Sequence, residues 1–317
     1  MSALICGSFA YDTIMVFPDQ FKNHILPDKV HMLNVAFLVP ELRREFGGCA
    51  GNIAYNLKLL GDDPIPMGTV GSDFTSYATW MDKHDINRRH VHVKDGSYTA
   101  QAFITTDMDD NQITAFHPGA MNLSHETHIK EAKDISLAIV APDGRDGMIQ
   151  HAQQCHEAGI PFIFDPGQGL PMFDGSDLLN FAKQATYIAL NDYEAQLFED
   201  RTGLSPAEIA EHVEALIITR GSEGSHIYTD GKRIDIPCAK ADKLADPTGC
   251  GDAYRAGLLY GIVRKWDWVT CGRLAATMGA IKIASRGGQN HKPSREEIEN
   301  IYSQALISEE TDKEKTT

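Results

Sequence analysis

The sequence contains no apolar run approaching the roughly 18 residues that a membrane span requires; stretches such as Leu137 to Ala141 are far shorter. The opening segment MSALICGSFAYDTIMVF has no Lys or Arg before Lys22 and no small-residue cleavage pattern after a long apolar stretch. It does not read as a signal peptide, and a cytoplasmic location is expected. Positive charge is scarce: 29 Lys and Arg stand against 44 Asp and Glu, a formal net charge of −15. That balance repels a phosphate backbone, so neither nucleic acid nor membrane is an expected partner. The 6 cysteines never approach a C-x-x-C spacing, which excludes a zinc ribbon or a thioredoxin-like pair and leaves reduced thiols. Among 13 histidines there is no H-E-x-x-H, and HDINRRHVHV reads as a solvated turn before a strand, so no histidine metal site is expected. Two nucleotide signatures are missing as well, G-x-x-x-x-G-K-[ST] and the protein-kinase H-R-D, and ICGSFAYD is not G-x-G-x-x-G. P-loop and Rossmann dehydrogenase readings fall away.

What is present is a chain of 317 residues, 42% hydrophobic and 23% charged, which is enough for a large α/β domain with a sizeable core. From Asp134 onward short β-branched runs (ISLAIVAP, IPFIFDPG, ATYIALND, ALIITRG) alternate with helical stretches. That alternation predicts βαβ units on a parallel sheet. The runs end in Asp143, in Asp165 with Gln168, in Asn191 and in Thr219, and open parallel sheets bind ligands at their strand carboxyl ends. Each of these residues could equally start the next helix as an N-cap. The first 120 residues are less regular, with strand-like runs ALICGSF, IPMGTVG, AQAFITTD and QITAFHPG and a helix from Gly51 to Gly61. TTDMDDNQIT predicts a hairpin in a small antiparallel sheet, a candidate lid over the crevice, and GSHIYTDGKRIDIP predicts a second hairpin at Asp230-Gly231.

The strongest chemical signal is DPTGCGDAYRAGLLYG at residues 246 to 261, where a glycine turn runs into a small-residue helix. Backbone N–H groups of Gly249, Cys250 and Gly251 at a helix N-terminus make an anion site suited to a phosphoryl group, with Asp252 in the first turn. GGCAGN at 47 to 52 opens another small-residue helix; Gly48 allows close approach, and Asn52 offers an amide to a polyol. Ser8 and Asp12 follow the first strand, where a carboxylate can accept from vicinal hydroxyls or simply close an Asx-turn. Asn191 and Glu194 of NDYE could hold a hydrated Mg²⁺, which keeps waters and takes few carboxylates.

Taken together, GGCAGN, NDYE and DPTGCGD resemble the ribokinase-type carbohydrate and nucleoside kinases of the PfkB family, over about residues 3 to 300. FLVPELRREFGGCAGNIA, ITAFHPGAM and DPTGCGDAYRAG most resemble its adenosine kinases and the broad nucleoside kinases close to them. The resemblance implies a single three-layer α/β/α domain over 1–307 with a mostly parallel sheet of eight or nine strands. It further implies a β-sheet lid from about 13–45 and 92–118; the charged stretch 308–317 is expected to be a frayed tail. It implies transfer of the γ-phosphoryl group of ATP to the ribose 5′-hydroxyl of adenosine or related nucleosides. In that scheme Asp252 is the base and Gly249, Cys250 and Gly251 the anion hole. Asp12, Gly48 and Asn52 hold ribose, Phe116 stacks on the base, and Ser8 and Gln168 complete the substrate set. Asn191 and Glu194 manage Mg²⁺ and the triphosphate, while Thr219, Gly221, Gly224 and the helix through Ala280 line the ATP cleft. A monovalent cation such as K⁺ near Asp246 and Thr248 is left open, and a homodimer through the lid is implied. The alternatives are a sugar or sugar-phosphate kinase, which Arg43, Arg44 and Arg255 leave open, and a non-catalytic nucleoside-binding regulator.

Overall fold

A computed structural model describes residues 2–25, 34–109 and 111–304. The tail at 308–317, part of the expected lid at 26–33 and one position of the 108–111 turn lie outside the described residues. Strand β1 (Ser2–Cys6) is followed by β2 (Ala10–Val16), β3 (Glu41–Gly47), α1 (Cys49–Leu59), β4 (Ile65–Gly71), α2 (Thr75–Lys83) and β5 (His90–Lys94). The hairpin β6 (Ala100–Thr106) and β7 (Gln112–His117) comes next, then β8 (Ile135–Val140), α3 (Arg145–Glu157), β9 (Phe162–Phe164), α4 (Gly175–Gln184) and β10 (Tyr187–Asn191). After α5 (Asp192–Thr202), α6 (Pro206–Ala210) and β11 (Ala215–Thr219), the hairpin β12 (Ser225–Thr229) and β13 (Lys232–Ile236) leads to α7 (Cys250–Val263) and α8 (Trp268–Ile283).

The main sheet has nine strands in the order β13-β12-β11-β10-β9-β8-β1-β4-β5. All neighbours are parallel except the β11–β12 and β12–β13 pairs. This is the ribokinase-like α/β architecture expected above. The central strands β1 and β8 to β11 are largely apolar because both their faces are covered, and the two-residue period of a strand sends alternate side chains to opposite sides. Thus Ala3, Ile5, Leu137 and Ile139 pack with α1, α2 and α7 residues such as Ile53, Met81 and Leu258. Leu4, Cys6, Ala138 and Val140 pack on the other side with Met148, Leu178 and Phe198 of α3, α4 and α5.

A second sheet of four strands, β3-β2-β6-β7, stands apart. The hairpin predicted at TTDMDDNQIT is its antiparallel β6–β7 edge, but β2 and β6 run parallel, so the sheet is mixed rather than antiparallel. The sequence reading missed β2 and β3 because Asp12 and the pair Arg43-Arg44 interrupt their apolar patterning. Helix α1 begins at Cys49, ahead of the Gly51 read from sequence, because Gly48 takes the N-cap position with φ +85°. Among the described residues no helix is long and apolar enough to cross a membrane.

Helices α7 and α8 approach so closely that a Cβ on Gly257 would come within 2.5 Å of Ala275 Cα, and one on Gly261 within 2.5 Å of Cys271 Sγ. The contact at Gly257 is with backbone, which has no rotamer to yield. Gly257→Val is therefore expected to cost about 3 kcal/mol, the upper end of overpacking effects, and to lower Tm by several degrees in calorimetry. An unchanged Tm would contradict this account of the packing.

Candidate active site

The carboxyl ends of β1, β8, β9, β10 and β11 open on the N-termini of α1 and α7, and most of the singled-out residues gather at this edge. Gly249 has φ +78° and serves as N-cap of α7, which aims the first turn of that helix into the crevice. A Cβ on Gly251 would meet nothing within 4 Å, as a position facing open space requires. The Cys250 N–H donates to the Pro247 carbonyl at 3.1 Å.

Asp252, in the first turn of α7, accepts a 2.8 Å hydrogen bond from Asn52 Nδ2 on α1. Burial pushes the Asp252 carboxyl up to about 6; the Asp165 charge adds to this, while the Asn52 bond, Arg255 and the Cys49 thiol oppose it. Asp12 is likewise raised to about 6, by burial first and then by the charges of Asp252, Glu45 and Asp246.

Glycines and network partners hold this arrangement. A Cβ on Gly47 would lie 2.5 Å from Asp12 Oδ2, and one on Gly288 would lie 2.5 Å from Asn52 Oδ1. Gly48 is required by its neighbours, because a Cβ there would strike Ser8 O, Ala10 N and Phe9 Cα between 2.5 and 2.6 Å. Ser8 is buried and tied to α1, its Oγ accepting from Cys49 N at 3.3 Å and its carbonyl from Ala50 N at 2.9 Å. Gln289 donates to Asn52 Oδ1 at 3.0 Å and to Tyr77 at 2.6 Å, and accepts from Trp80 Nε1 at 2.9 Å. Tyr77 in turn donates to the Gly47 carbonyl at 2.8 Å. Tyr77, Trp80 and Gln289 were not singled out in the sequence; no local pattern distinguishes them, since only the fold brings them to Asn52.

Asn191 and Glu194 form a reciprocal cap on α5. Asn191 Oδ1 accepts from Glu194 N at 2.7 Å, and the Glu194 carboxylate accepts from Asn191 N and Nδ2, each at 2.8 Å. The N-cap alternative read from sequence is thus realised. Burial raises the Glu194 carboxyl, with Arg255 opposing and Asp165 adding. Thr219 pairs in register with Asn191, so the two side chains stand beside each other at the sheet edge. Gly224 has φ +85°, and a Cβ there would lie 2.1 Å from the Ile236 carbonyl, so its demand for glycine comes from β13; Gly221, also at positive φ, faces open space. Ala280 is buried in α8. Gln168 is exposed on the short turn after β9, beyond the buried Asp165.

Arg255 is buried and bonded to Asp165 at 2.9 Å; burial works against its charge, but Asp165 and Glu194 hold it. Arg44 lies 3.6 Å from the centre of the Tyr11 ring and 3.8 Å from Asp73, and Arg43 pairs with Glu45 at 3.4 Å. In the small sheet, Glu45, Asp12, Ala102 and Phe116 are successive cross-strand partners, so they share one face. Phe116 on that face is 53% exposed.

Carboxyl NMR of labelled aspartates tests the electrostatics. Asp252 is expected to titrate near 6, and Asn52→Ala, which removes a bond to the ionised form, is expected to move it up by about one pH unit. A midpoint below about 5 in both proteins would contradict the burial described here.

The model of the pfkB family of carbohydrate kinases matches residues 11–295. A nucleoside kinase of Methanocaldococcus jannaschii is 32% identical over 271 residues, covering 84% of this chain and 88% of that protein. A solved structure of Burkholderia thailandensis nucleoside kinase in complex with inosine is 56% identical, with TM-score 0.88, covering 96% of this chain and 97% of that one. A ribokinase of Thermotoga maritima, 19% identical with TM-score 0.77 over 95% and 99% of the two chains, shares the fold.

Proposed function

The chain belongs to the pfkB family of carbohydrate kinases, and from that premise we propose that it is an ATP-dependent nucleoside kinase acting on the ribose 5′-hydroxyl of adenosine or related nucleosides. The observation that carries the reading is the junction of Asn52 and Asp252 at 2.8 Å, where a polyol-binding helix start meets an anion-binding one. The acceptor hydroxyl belongs beside Asp252 and the transferred phosphoryl group beside the Gly249 and Gly251 amides. Phosphoryl transfer runs through a loose in-line transition state that asks chiefly for positioning and charge neutralisation. Asp252, with its carboxyl near 6, is ionised at neutral pH and can orient the hydroxyl and take its proton as the bond to phosphorus forms.

Asp12 and Asn52 are suited to the ribose hydroxyls, and Phe116, on the Asp12 face of the lid, to the base. Likeness to the inosine-bound nucleoside kinase supports a nucleoside over a free sugar. A sugar-phosphate acceptor would need a free basic group, and Arg43, Arg44 and Arg255 each already face a carboxylate. Each Glu194 oxygen accepts one bond and keeps a further lone pair, enough to receive a water of a hydrated ion. Mg²⁺ when bound would neutralise triphosphate oxygens. Asn191, Thr219, Gly221 and Gly224 fit the ATP side of the crevice.

The opposite face of the lid supports a homodimer. Leu42, Met15, Thr105 and Ile113 are successive cross-strand partners there, with Leu42 64% and Ile113 44% exposed, and Phe103 lies on the same face. Light scattering is expected to give twice the chain mass for the wild type and a single chain mass for Leu42→Glu with Ile113→Glu; a wild-type monomer would end this part of the reading.

Diphosphate release with Mg-ATP against adenosine, inosine, guanosine, cytidine, ribose and fructose 6-phosphate tests the function. Adenosine or inosine should turn over best, and Asp252→Asn should keep nucleoside binding within a few-fold while lowering kcat by at least ~10². Turnover confined to sugars would overturn the nucleoside reading, and an active Asp252→Asn would overturn the base assignment.

A further inference from the structure

Lys282, in the last turn of α8, is completely buried, and its Nζ donates to two main-chain carbonyls, that of Asp246 at 2.8 Å and that of Ser285 at 3.0 Å. These carbonyls belong to the two segments that frame the anion-binding turn. Asp246 opens the turn, its carboxylate accepting from Thr248 N at 2.9 Å and from Gly287 N at 2.8 Å. The loop that starts at Ser285 runs back over the turn, so that a Cβ on Gly249 would lie 3.3 Å from Gly288 Cα. Main-chain carbonyls only accept, so Nζ must turn an N–H toward each of them. Burial works against the lysine charge, while Cys250, Asp246 and Asp252 favour it. Burial also works to raise the Asp246 carboxyl, but the Gly287 and Thr248 amides and the Lys282 charge bring it below its usual value.

A monovalent cation such as K⁺ near Asp246 and Thr248 does not fit this arrangement. Such an ion needs carbonyl oxygens in place of its water, and the Asp246 and Ser285 carbonyls already receive a buried amine whose charge would repel it. We propose that the Lys282 ammonium is the resident cation of this site. It clamps the turn at Asp246 to the loop at 285–288 and thereby fixes the Gly249 and Gly251 amides toward the transferred phosphoryl group, with no exchangeable K⁺. Lys282 is a positioning residue, acting through the turn it holds. A buried lysine that serves stability alone would leave turnover indifferent to which small cation fills its place.

The experiment compares phosphoryl transfer and thermal stability at fixed ionic strength with K⁺, Na⁺ or choline as the sole monovalent cation. Wild-type kcat is expected to agree within about two-fold across the three, and Tm to show no preference for K⁺. Lys282→Ala opens a space of lysine shape; in choline it is expected to lose at least about ten-fold in kcat. K⁺, ammonium or ethylammonium should restore much of that loss and raise the Tm of the variant. A wild type that loses more than about five-fold without K⁺, or is stabilised specifically by it, overturns the inference. So does a variant that keeps wild-type kcat in choline, or one that folds and that no cation restores. If the variant does not fold, the wild-type series decides. The inference rests on the kinase reading, and the two fail differently: no transfer to any acceptor in any salt defeats that reading, while the Tm series still tests the lysine.

Discussion

The hydrogen bond between Asn52 and Asp252 joins the starts of α1 and α7, and the proposed chemistry of the crevice depends on it. It can form only where two helix N-termini approach without side chains between them. That explains why glycine recurs around it: Gly47 leaves room for Asp12, Gly48 for the chain at Ser8 to Ala10, and Gly288 for the Asn52 amide. The amide also sets the charge of its partner, since a bond donated to the ionised form opposes the upward push that burial gives Asp252. Gln289 and Tyr77 extend the same restraint, linking Asn52 to the Gly47 carbonyl and to Trp80 on α2.

A second constraint is electrostatic. The chain has a formal net charge of −15, and positive features are concentrated locally beside the crevice. Two helix starts contribute partial charge, Arg255 is held between Asp165 and Glu194, and Lys282 lies behind the glycine turn. Each full charge is committed to a specific protein partner. In the proposed reaction these charges shape the field of the crevice and the conformation of its loops, and the main-chain amides are left to meet the phosphoryl group.

Much of this was legible in the sequence for identifiable reasons. The alternation of ISLAIVAP, IPFIFDPG, ATYIALND and ALIITRG with helical stretches reports strands covered on both faces, and those strands lie side by side as β8, β9, β10 and β11. The glycine turn into α7 was readable because a positive-φ N-cap such as Gly249 requires glycine and leaves a local mark in the sequence. β2 and β3 were not readable, because Asp12, Arg43 and Arg44 stand where a half-buried strand would ordinarily carry an apolar side chain. Asn191 and Glu194 were noticed, but sequence left a metal role and a helix cap equally open. The bonds between them show the cap, and it can coexist with binding to hydrated ions.

The sequence by itself determined the fold class, the sheet edge proposed to carry the site, and the two glycine-opened helices, because period and turn chemistry are local properties. Tertiary structure alone decided which distant groups act on those local features. Asn52 and Asp252 are 200 positions apart, Gln289 and Asn52 237, and Lys282 and Asp246 36. Burial and pairing are set by such contacts, so the raised carboxyls of Asp12 and Asp252, the commitment of Arg255 to Asp165 and the clamp at Lys282 appear only once the chain is folded.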